Sequence, residues 1–308
     1  MAQWLAQTTH NRLVAGPTPA GPTFDTICLA QLIFSLRGLD LLLIMKYKPR
    51  EERLAKLIRE ISSLSDNQLG SVEPVIQELS NPFLEKFNSP NSDLIDQCVL
   101  NIFGDAIRIH HCFSKGPFTK DKFEFALEYA FNQCGRKAKL APPGIPGYDL
   151  VLEDKKYSLK TEAEKSIKQD LIHVSKHMEL GKGEWNLELL RNQFLDNLQK
   201  TDRILTLRCL SRFFPYEYYE LVEIPKDILL KSISGTLRLM TKSTQNPKPG
   251  YCDVSENGIL LFQLYFDAGG ERKLQIKSLL KSKCFVHAFW KFKKSSSGET
   301  NIQLPLQE

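Results

Sequence analysis

Apolar residues at helical spacing predict helices in the first half of the chain. From Glu51 to Ser63 they recur every three or four positions, so this segment is predicted to be a surface helix packed on a core. A second helix is predicted for residues 94–102. A third opens at Thr119, whose hydroxyl can cap the first turn. The buried stripe of this third helix comprises Phe123, Leu127, Ala130 and Phe131.

Short apolar runs bounded by turn residues predict strands in the second half. Residues 149–152 and 157–161 form two strands joined by the hairpin-like turn Glu-Asp-Lys-Lys. Further strands are predicted at 204–210, 219–223, 260–266 and 284–292, with a helix at 185–198. The pattern predicts an α/β fold, with a mixed β-sheet flanked by helices, in a single domain spanning residues 45–308.

Residues 1–44 differ in style from the rest of the chain. They contain the run Gly-Pro-Thr-Pro-Ala-Gly-Pro from Gly16 to Pro22 and show no clear period afterwards, whereas Met45 is followed at once by the polar start of an amphipathic helix. We therefore expect an N-terminal extension that is disordered or results from a non-native start. A genuine accessory arm is the alternative.

Charge and cysteine content say little about function but indicate the cellular compartment. The net charge of +5 suits a polyanionic partner without identifying one. The seven cysteines have no C-x-x-C pair, which predicts free thiols in a reducing cytosol. The most apolar stretch, residues 27–44, is interrupted by Arg37 and Asp40, and residues 1–25 lack a secretory signal. We expect a cytoplasmic protein.

The segment from Pro146 to Glu162 holds the candidate chemistry. Alternate side chains of a strand share one face, so Lys160 and Glu162 point the same way, and a hairpin would bring Asp149 beside them. Carboxylates can hold Mg²⁺ together with a phosphate oxygen, the metal lowers the pKa of a bound water, and an amine stabilises charge that grows in the transition state. These groups suit phosphodiester hydrolysis. A surface hairpin with solvated charges is the alternative.

This arrangement resembles the PD-(D/E)-x-K nuclease core, with Asp149 as the first acid and Lys160 as the lysine. The acid that usually stands two residues before the lysine is replaced by Ser158. Another carboxylate must then take its place as catalytic and metal-binding group. Glu162, beyond the lysine, and Glu124, on the preceding predicted helix, are both candidates.

Longer blocks resemble SmaI-type restriction endonucleases from about Leu84 to Phe292. They include Phe103-Gly-Asp, Pro146-Gly-Tyr-Asp149, Leu159-Lys160-Thr-Glu162-Ala, the stretch from His173 to Trp185, Leu221 to Lys226, Pro247 to Tyr251, Leu264 to Asp267 and Glu271 to Lys277. The resemblance implies a Mg²⁺-dependent homodimer that cuts double-stranded DNA at CCCGGG to blunt ends, alongside a cognate DNA methyltransferase. A cleavage-deficient, sequence-specific DNA-binding protein is the alternative, because Ser158 would leave the metal short of ligands.

Basic residues in three segments are candidate DNA contacts. The loop from Lys242 to Lys248 is bounded by Gly and Pro and carries two amines, which suits guanine recognition in a groove. The segment from Glu271 to Lys277 alternates like a strand, so that Arg272 or Lys273 could meet guanine or phosphate. His173, Lys176 and Lys182 are predicted to line the DNA backbone. His173 and His177 are four apart on a possible helix and are a weaker zinc hypothesis, because Val174 stands where the zincin pattern has Glu.

Overall fold

The computed structural model describes residues 50–142, 144–164 and 167–294, which form six α-helices and twelve strands. The helices are α1 (Arg50–Ser62), α2 (Asp66–Ser80), α3 (Gln97–Phe113), α4 (Asp121–Gln133), α5 (Leu187–Leu198) and α6 (Lys226–Leu230). The strands are β1 (Glu85–Asn88), β2 (Ala138–Leu140), β3 (Leu150–Leu152), β4 (Lys155–Glu162), β5 (Leu171–Glu179), β6 (Arg203–Cys209), β7 (Tyr216–Ile224), β8 (Thr236–Leu239), β9 (Gly250–Glu256), β10 (Ile259–Asp267), β11 (Lys273–Leu280) and β12 (Phe285–Lys293). The N-terminal extension lies outside the described residues.

The strands form two sheets. The seven-stranded sheet has the order β1-β12-β7-β6-β4-β3-β2, and the five-stranded sheet has the order β5-β11-β10-β9-β8. The pairing of β4 with β6 is parallel, whereas β6 with β7 and β3 with β4 are antiparallel. The predicted α/β fold with a mixed sheet flanked by helices is confirmed, and it is consistent with a restriction-endonuclease-like core. The second sheet was not predicted.

Helices α3 and α4 cover one face of the seven-stranded sheet. Phe103, Phe123, Phe131 and Trp290 are fully buried in the apolar cluster between them and the sheet. Each such side chain stabilises the fold by about 1.5–3 kcal/mol when it leaves water. Gly104 allows α3 to approach β12 closely, because a Cβ at this position would lie 2.6 Å from the Trp290 ring.

A second apolar cluster joins the two sheets. Ile204 and Val222 of the seven-stranded sheet share it with Phe262 and Ile276 of the five-stranded sheet, and Phe194 of α5 completes it. The strands of the five-stranded sheet alternate buried and half-exposed residues along β9 and β10. One face of this sheet is therefore core, and the other face is polar.

Helix α1 confirms the helix predicted for residues 51–63, but not its burial. None of its residues is buried, and Leu54, Leu57 and Ile58 are each at least half exposed. Contacts divide the chain between Gly70 and Ser71, so that α1 and the first residues of α2 belong to a unit of their own. The prediction that this helix packs on a core is wrong for the described residues, because amphipathic spacing shows an apolar face without showing what covers it.

Three local predictions are wrong. Residues 171–179 form strand β5 and no helix. Thr119 does not cap α4, whose N-cap is Lys120 without a side-chain hydrogen bond. Cys98 and Cys134 form a disulfide, because α3 begins where the packed helix α4 ends. Cys112, Cys209, Cys252 and Cys284 are free, as predicted. In the described part of the chain, no helix is long and apolar enough to cross a membrane.

Candidate active site

The β3–β4 hairpin brings Asp149 and Lys160 together. Asp149 immediately precedes β3, and its backbone is held on both sides, since its N–H donates to Tyr157 and its carbonyl accepts from Ala141. Lys160 lies on β4, and its Nζ is 3.2 Å from Asp149 Oδ2. Gly147 has a φ of 107°, and a Cβ there would lie 2.6 Å from the Lys200 side chain. Glycine is therefore required in the turn that leads to Asp149.

One oxygen of Asp149 is fixed by the hairpin itself. Besides Lys160, the backbone N–H of Leu159 donates to Oδ2 at 2.6 Å, and the Ser158 hydroxyl donates at 3.4 Å. Ser158 therefore contacts Asp149 across the hairpin. Among the described residues no donor reaches the other oxygen, Oδ1, which leaves it available to a ligand.

Asp149, Lys160 and Glu124 line one cavity of about 180 Å³, here called the hairpin pocket. Its remaining lining residues are Lys120, Leu159, Thr161, Val174, Ser175 and Lys176. Burial raises the pKa of Glu124, and the nearby carboxylates of Asp149 and then Asp121 raise it further, while Lys160 and Lys120 oppose the shift. Two carboxylates thus share a half-buried site, an arrangement that a cation would stabilise.

The donor set of the hairpin pocket fits a hard divalent cation. Its carboxylate oxygens belong to Asp149 and Glu124, and Mg²⁺ binds to one or two carboxylates while it keeps other positions for water and phosphate. No cysteine or histidine lines this pocket, so it offers no ligand that softer cations, which prefer sulfur or imidazole, would favour.

Glu162 lies elsewhere. It pairs in register with Arg208 of β6, forms a buried ion pair with that guanidinium, and accepts a hydrogen bond from the His173 N–H at 2.9 Å. Burial raises the pKa of Glu162 to about 7, although Arg208 opposes the shift. Glu162 lines a second cavity of about 290 Å³ with Lys168, Leu171, Ile172, His173, Lys277 and Ser278. The hairpin pocket therefore contains Glu124 and not Glu162.

Lys120 is a lining residue that sequence reasoning missed. It stands at the start of α4, one turn before Glu124, and its φ of 40° is uncommon for a residue with a side chain. Such strained positions are more frequent at functional sites than elsewhere. The signal in the sequence is a lysine directly before a predicted helix that carries a candidate acid.

Lys176 and His173 both lie on β5, with different surroundings. Lys176 reaches the hairpin pocket and forms ion pairs with Glu179, at 2.8 Å, and with Glu271. His173 faces the second cavity, where its Nε2 lies 3.3 Å from Gln275 Oε1.

His177, the other histidine of the zinc hypothesis, does not share a site with His173. It is buried edge-to-face against Phe194, 5.2 Å between ring centroids. Burial, and then the charge of Lys160, lower the pKa of His177 to about 3. Within the described residues the two histidines are not part of a group of side chains that could hold a metal ion. The zinc hypothesis therefore has no support in the structure.

The remaining predicted DNA contacts gather at one end of the five-stranded sheet. Arg272 donates to the Gly183 carbonyl at 3.1 Å, and its guanidinium lies 5.3 Å above the Trp185 ring. The indole N–H of Trp185 donates to the Lys248 carbonyl at 2.7 Å. These contacts tie together loops 180–186, 240–249 and 268–272, here called the loop cluster. Lys182, Lys242, Lys248 and Lys273 lie in it or at its edge.

Comparison with known proteins identifies a family for this chain. A family model described as "SmaI: Type II site-specific deoxyribonuclease" matches residues 57–292, which include every residue of the hairpin pocket. The chain is similar to the type II restriction enzyme SmaI of Serratia marcescens, with 45% identity over 209 residues that cover 67% of this chain and 84% of the relative. No solved structure matches the chain.

Proposed function

The chain belongs to the SmaI family of type II site-specific deoxyribonucleases, and on this premise we propose that it hydrolyses double-stranded DNA at CCCGGG, leaves blunt ends and depends on Mg²⁺. The observation that carries the proposal is the hairpin pocket. There Lys160 lies 3.2 Å from Asp149, and Glu124 lines the same cavity. Two acids and an amine in one cavity are the set of groups that phosphodiester hydrolysis needs.

Asp149 and Glu124 are the proposed metal ligands. A bound Mg²⁺ would supply activation of water and neutralisation of charge on the phosphate. The hairpin holds Asp149 by its backbone and by Oδ2, so that Oδ1 is directed by a rigid element. Glu124 approaches from α4. The identity of the second acid, which the sequence left open between Glu124 and Glu162, is therefore proposed to be Glu124.

Lys160 is the proposed phosphate contact. Its ammonium is held between Asp149 and the Leu159 carbonyl, each 3.2 Å away. From this position it can exchange its bond to Asp149 for one to the scissile phosphate, whose negative charge grows as the attacking oxygen arrives. Departure of the 3′ oxygen would leave 5′-phosphate and 3′-hydroxyl ends. Lys120 and Lys176 line the same cavity and are proposed to hold the adjoining phosphates.

The duplex is proposed to extend from the hairpin pocket to the loop cluster. His173, Lys176, Lys182, Lys242, Lys248, Arg272 and Lys273 are the proposed DNA contacts along this path. A palindrome presents two identical half-sites, so the working form is proposed to be a homodimer. The protein is proposed to act in the cytoplasm alongside a cognate DNA methyltransferase that protects the same sequence.

Digestion of a plasmid of known sequence with Mg²⁺, followed by mapping of the ends, tests this proposal. Wild-type protein should cut at CCCGGG, and Lys160→Ala should slow cleavage by about a hundredfold or more while DNA affinity stays nearly unchanged. Lys156→Ala is the matched control, since Lys156 lies on the same strand above the Tyr148 ring and outside the pocket. Specific binding without cleavage in Mg²⁺ or Mn²⁺ would instead favour a cleavage-deficient DNA-binding protein.

A further inference from the structure

The polar face of the five-stranded sheet carries a row of aromatic and cationic side chains. Tyr251 and Tyr265 are directly paired across β9 and β10, and their ring centroids lie 4.9 Å apart. Arg238 of β8 is paired with Tyr251 and places its guanidinium 4.7 Å from that ring. Lys277 of β11 lies 3.9 Å from the centroid of Tyr265. This row, here called the tyrosine face, has no role in the fold's core.

Lys277 is held by aromatic rings alone. Its ammonium lies above Tyr265 and 5.9 Å from Tyr251, and no carboxylate stands within salt-bridge distance of it among the described residues. Burial lowers the pKa of Lys277, whereas Asp267 and then Glu164 oppose the shift. A half-buried cation without a salt-bridge partner loses hydration without full compensation, so it favours an anionic ligand that arrives from outside.

The carboxylates of this face are already engaged. Asp253 accepts from Arg238 at 3.2 Å and from Gln263 at 2.7 Å. Asp267 accepts from Gln275 at 3.0 Å. Arg238 offsets the charge of Asp253, whereas the Gln275 amide orients Asp267 without removing its charge.

The tyrosine face adjoins His173, one of the proposed DNA contacts, and the loop cluster. Gln275 connects it to His173, and Lys277 lines the second cavity together with His173. At the other end, β8 and β9 lead directly into loop 240–249, which belongs to the loop cluster. A duplex that contacts both His173 and the loop cluster would therefore pass over or beside this face.

The width of the face decides how it could meet DNA. The four strands β8 to β11 lie about 4.8 Å apart and so span about 14 Å between outer axes, before side chains are added. The major groove is only about 12 Å wide and accepts a helix or a two-stranded ribbon. The tyrosine face is too wide to enter it. Arg, Lys and Tyr side chains on a surface of this kind are typical phosphate contacts, which position the duplex without reading sequence.

We propose that the tyrosine face is a seat for the sugar-phosphate backbone of the duplex, in which Lys277 and Arg238 contact phosphates and fix the register of the DNA over the hairpin pocket. This inference rests on the proposed function and assigns these residues to positioning and not to base reading. Sequence discrimination is left to the loop cluster.

A binding experiment with two fluorescently labelled duplexes, one with CCCGGG and one without, tests the proposal. The protein is titrated into each duplex in EDTA, at several salt concentrations, and binding is followed by fluorescence anisotropy. Lys277→Ala and Arg238→Ala should each weaken binding to both duplexes by a similar factor, about tenfold, and lower the slope of log K against log salt by about 0.9. Lys277→Arg should retain affinity. Lys291→Ala is the matched control, because Lys291 also lies above a tyrosine, 5.2 Å from the Tyr218 ring, but in the other sheet.

The outcomes separate this inference from the proposed function. If the variants weaken binding only to the CCCGGG duplex, the face reads bases and the inference is wrong. If they bind both duplexes like wild type, the face does not meet DNA, although wild-type cleavage would still support the proposed function. If wild type neither binds nor cuts any duplex, both fail. Thermal unfolding checks that each variant is folded, and Lys277→Gln replaces Lys277→Ala should the shorter side chain destabilise the sheet.

Discussion

Two glutamates within reach of the β3–β4 hairpin differ in what surrounds them. Glu124 faces a cavity that it shares with Asp149, whereas Glu162 is enclosed with Arg208, which also binds Glu220. The alternation of side chains along a strand predicts that Glu162 shares a side with Lys160. It could not show that Arg208 stands opposite Glu162 on the neighbouring strand, because that partner is 46 residues away in sequence.

We therefore expect Glu124→Gln to impair cleavage and Glu162→Gln to impair stability. Loss of the proposed metal ligand at Glu124 should slow cleavage by about a hundredfold or more and leave stability nearly unchanged. Glu162→Gln leaves Arg208 without one of its two carboxylates and should lower the free energy of unfolding by about 3 kcal/mol. Single-turnover cleavage and urea unfolding of both variants measure this. Equal loss of cleavage with equal stability would contradict the assignment.

His177 should make stability depend on pH. Its pKa is about 3 in the folded protein against 6.5 in the unfolded chain, so below pH 6.5 the unfolded state takes up the additional proton. The free energy of unfolding should then fall by up to about 1.4 kcal/mol per pH unit from this residue alone, as the pH drops from 6.5 towards 3. Above pH 6.5 the residue contributes no slope.

His177→Leu isolates this effect from that of other titrating groups. Urea unfolding at several pH values should show the variant gaining stability relative to wild type as the pH falls below 6.5. A constant difference between the two proteins would mean that His177 has the same pKa in the folded and the unfolded chain.

At the scale of elements, long periodic segments were predicted well and β5 was not. Helices α4 and α5 and the strands β4, β6 and β10 lie within a few residues of their predicted bounds. In β5 the pairing with β11 slips between Val174 and Met178, so that Ser175 and Lys176 are both half-exposed. This irregularity breaks the strict alternation that marks a strand, and the two histidines four apart then suggested a helix.

The contact between α3 and β12 depends on the glycine at position 104, which has no side chain. Gly104→Ala should lower the free energy of unfolding by about 1–3 kcal/mol, because the new methyl group meets the Trp290 ring, although alanine favours helix more than glycine does. Gly70→Ala is the matched control, since Gly70 is also helical and a Cβ there meets nothing within 4 Å.

Gly70→Ala should raise stability by about 0.5–1 kcal/mol, which is the gain in helix propensity alone. Thermal or urea unfolding of both variants provides the comparison. Two substitutions of the same sign would show that Trp290 gives way to the added methyl group.

At the scale of the whole molecule, the sequence predicted one α/β domain but not the division of its strands. Pairing between strands far apart in sequence, such as β5 with β11, arises from tertiary packing that a one-dimensional pattern does not contain. The loop cluster and the tyrosine face both depend on that pairing. This is why the sequence supplied individual basic residues as DNA contacts and missed Arg238, Tyr251 and Lys277 as a connected surface.

A chain that starts at Met45 should retain full activity. The family match begins at residue 57, and every residue of the hairpin pocket follows it. Removal of residues 1–44 should therefore change the rate of plasmid cleavage by less than about twofold, since it takes away no proposed ligand or phosphate contact. A large loss of cleavage, with the truncated protein still folded by circular dichroism, would show that the extension is an accessory arm.

The register slip in β5 has a consequence for insertions and deletions. Between the pairs Ile276↔Val174 and Leu274↔Met178, β5 has two residues more than β11, which is what turns Ser175 and Lys176 towards the hairpin pocket. Deletion of Ser175 and Lys176 would remove this excess, and β5 and β11 would then keep a single register shift, between Ile276 and Leu279. The hairpin pocket would lose two of its lining residues, and the proposed phosphate contact of Lys176 would be lost with them.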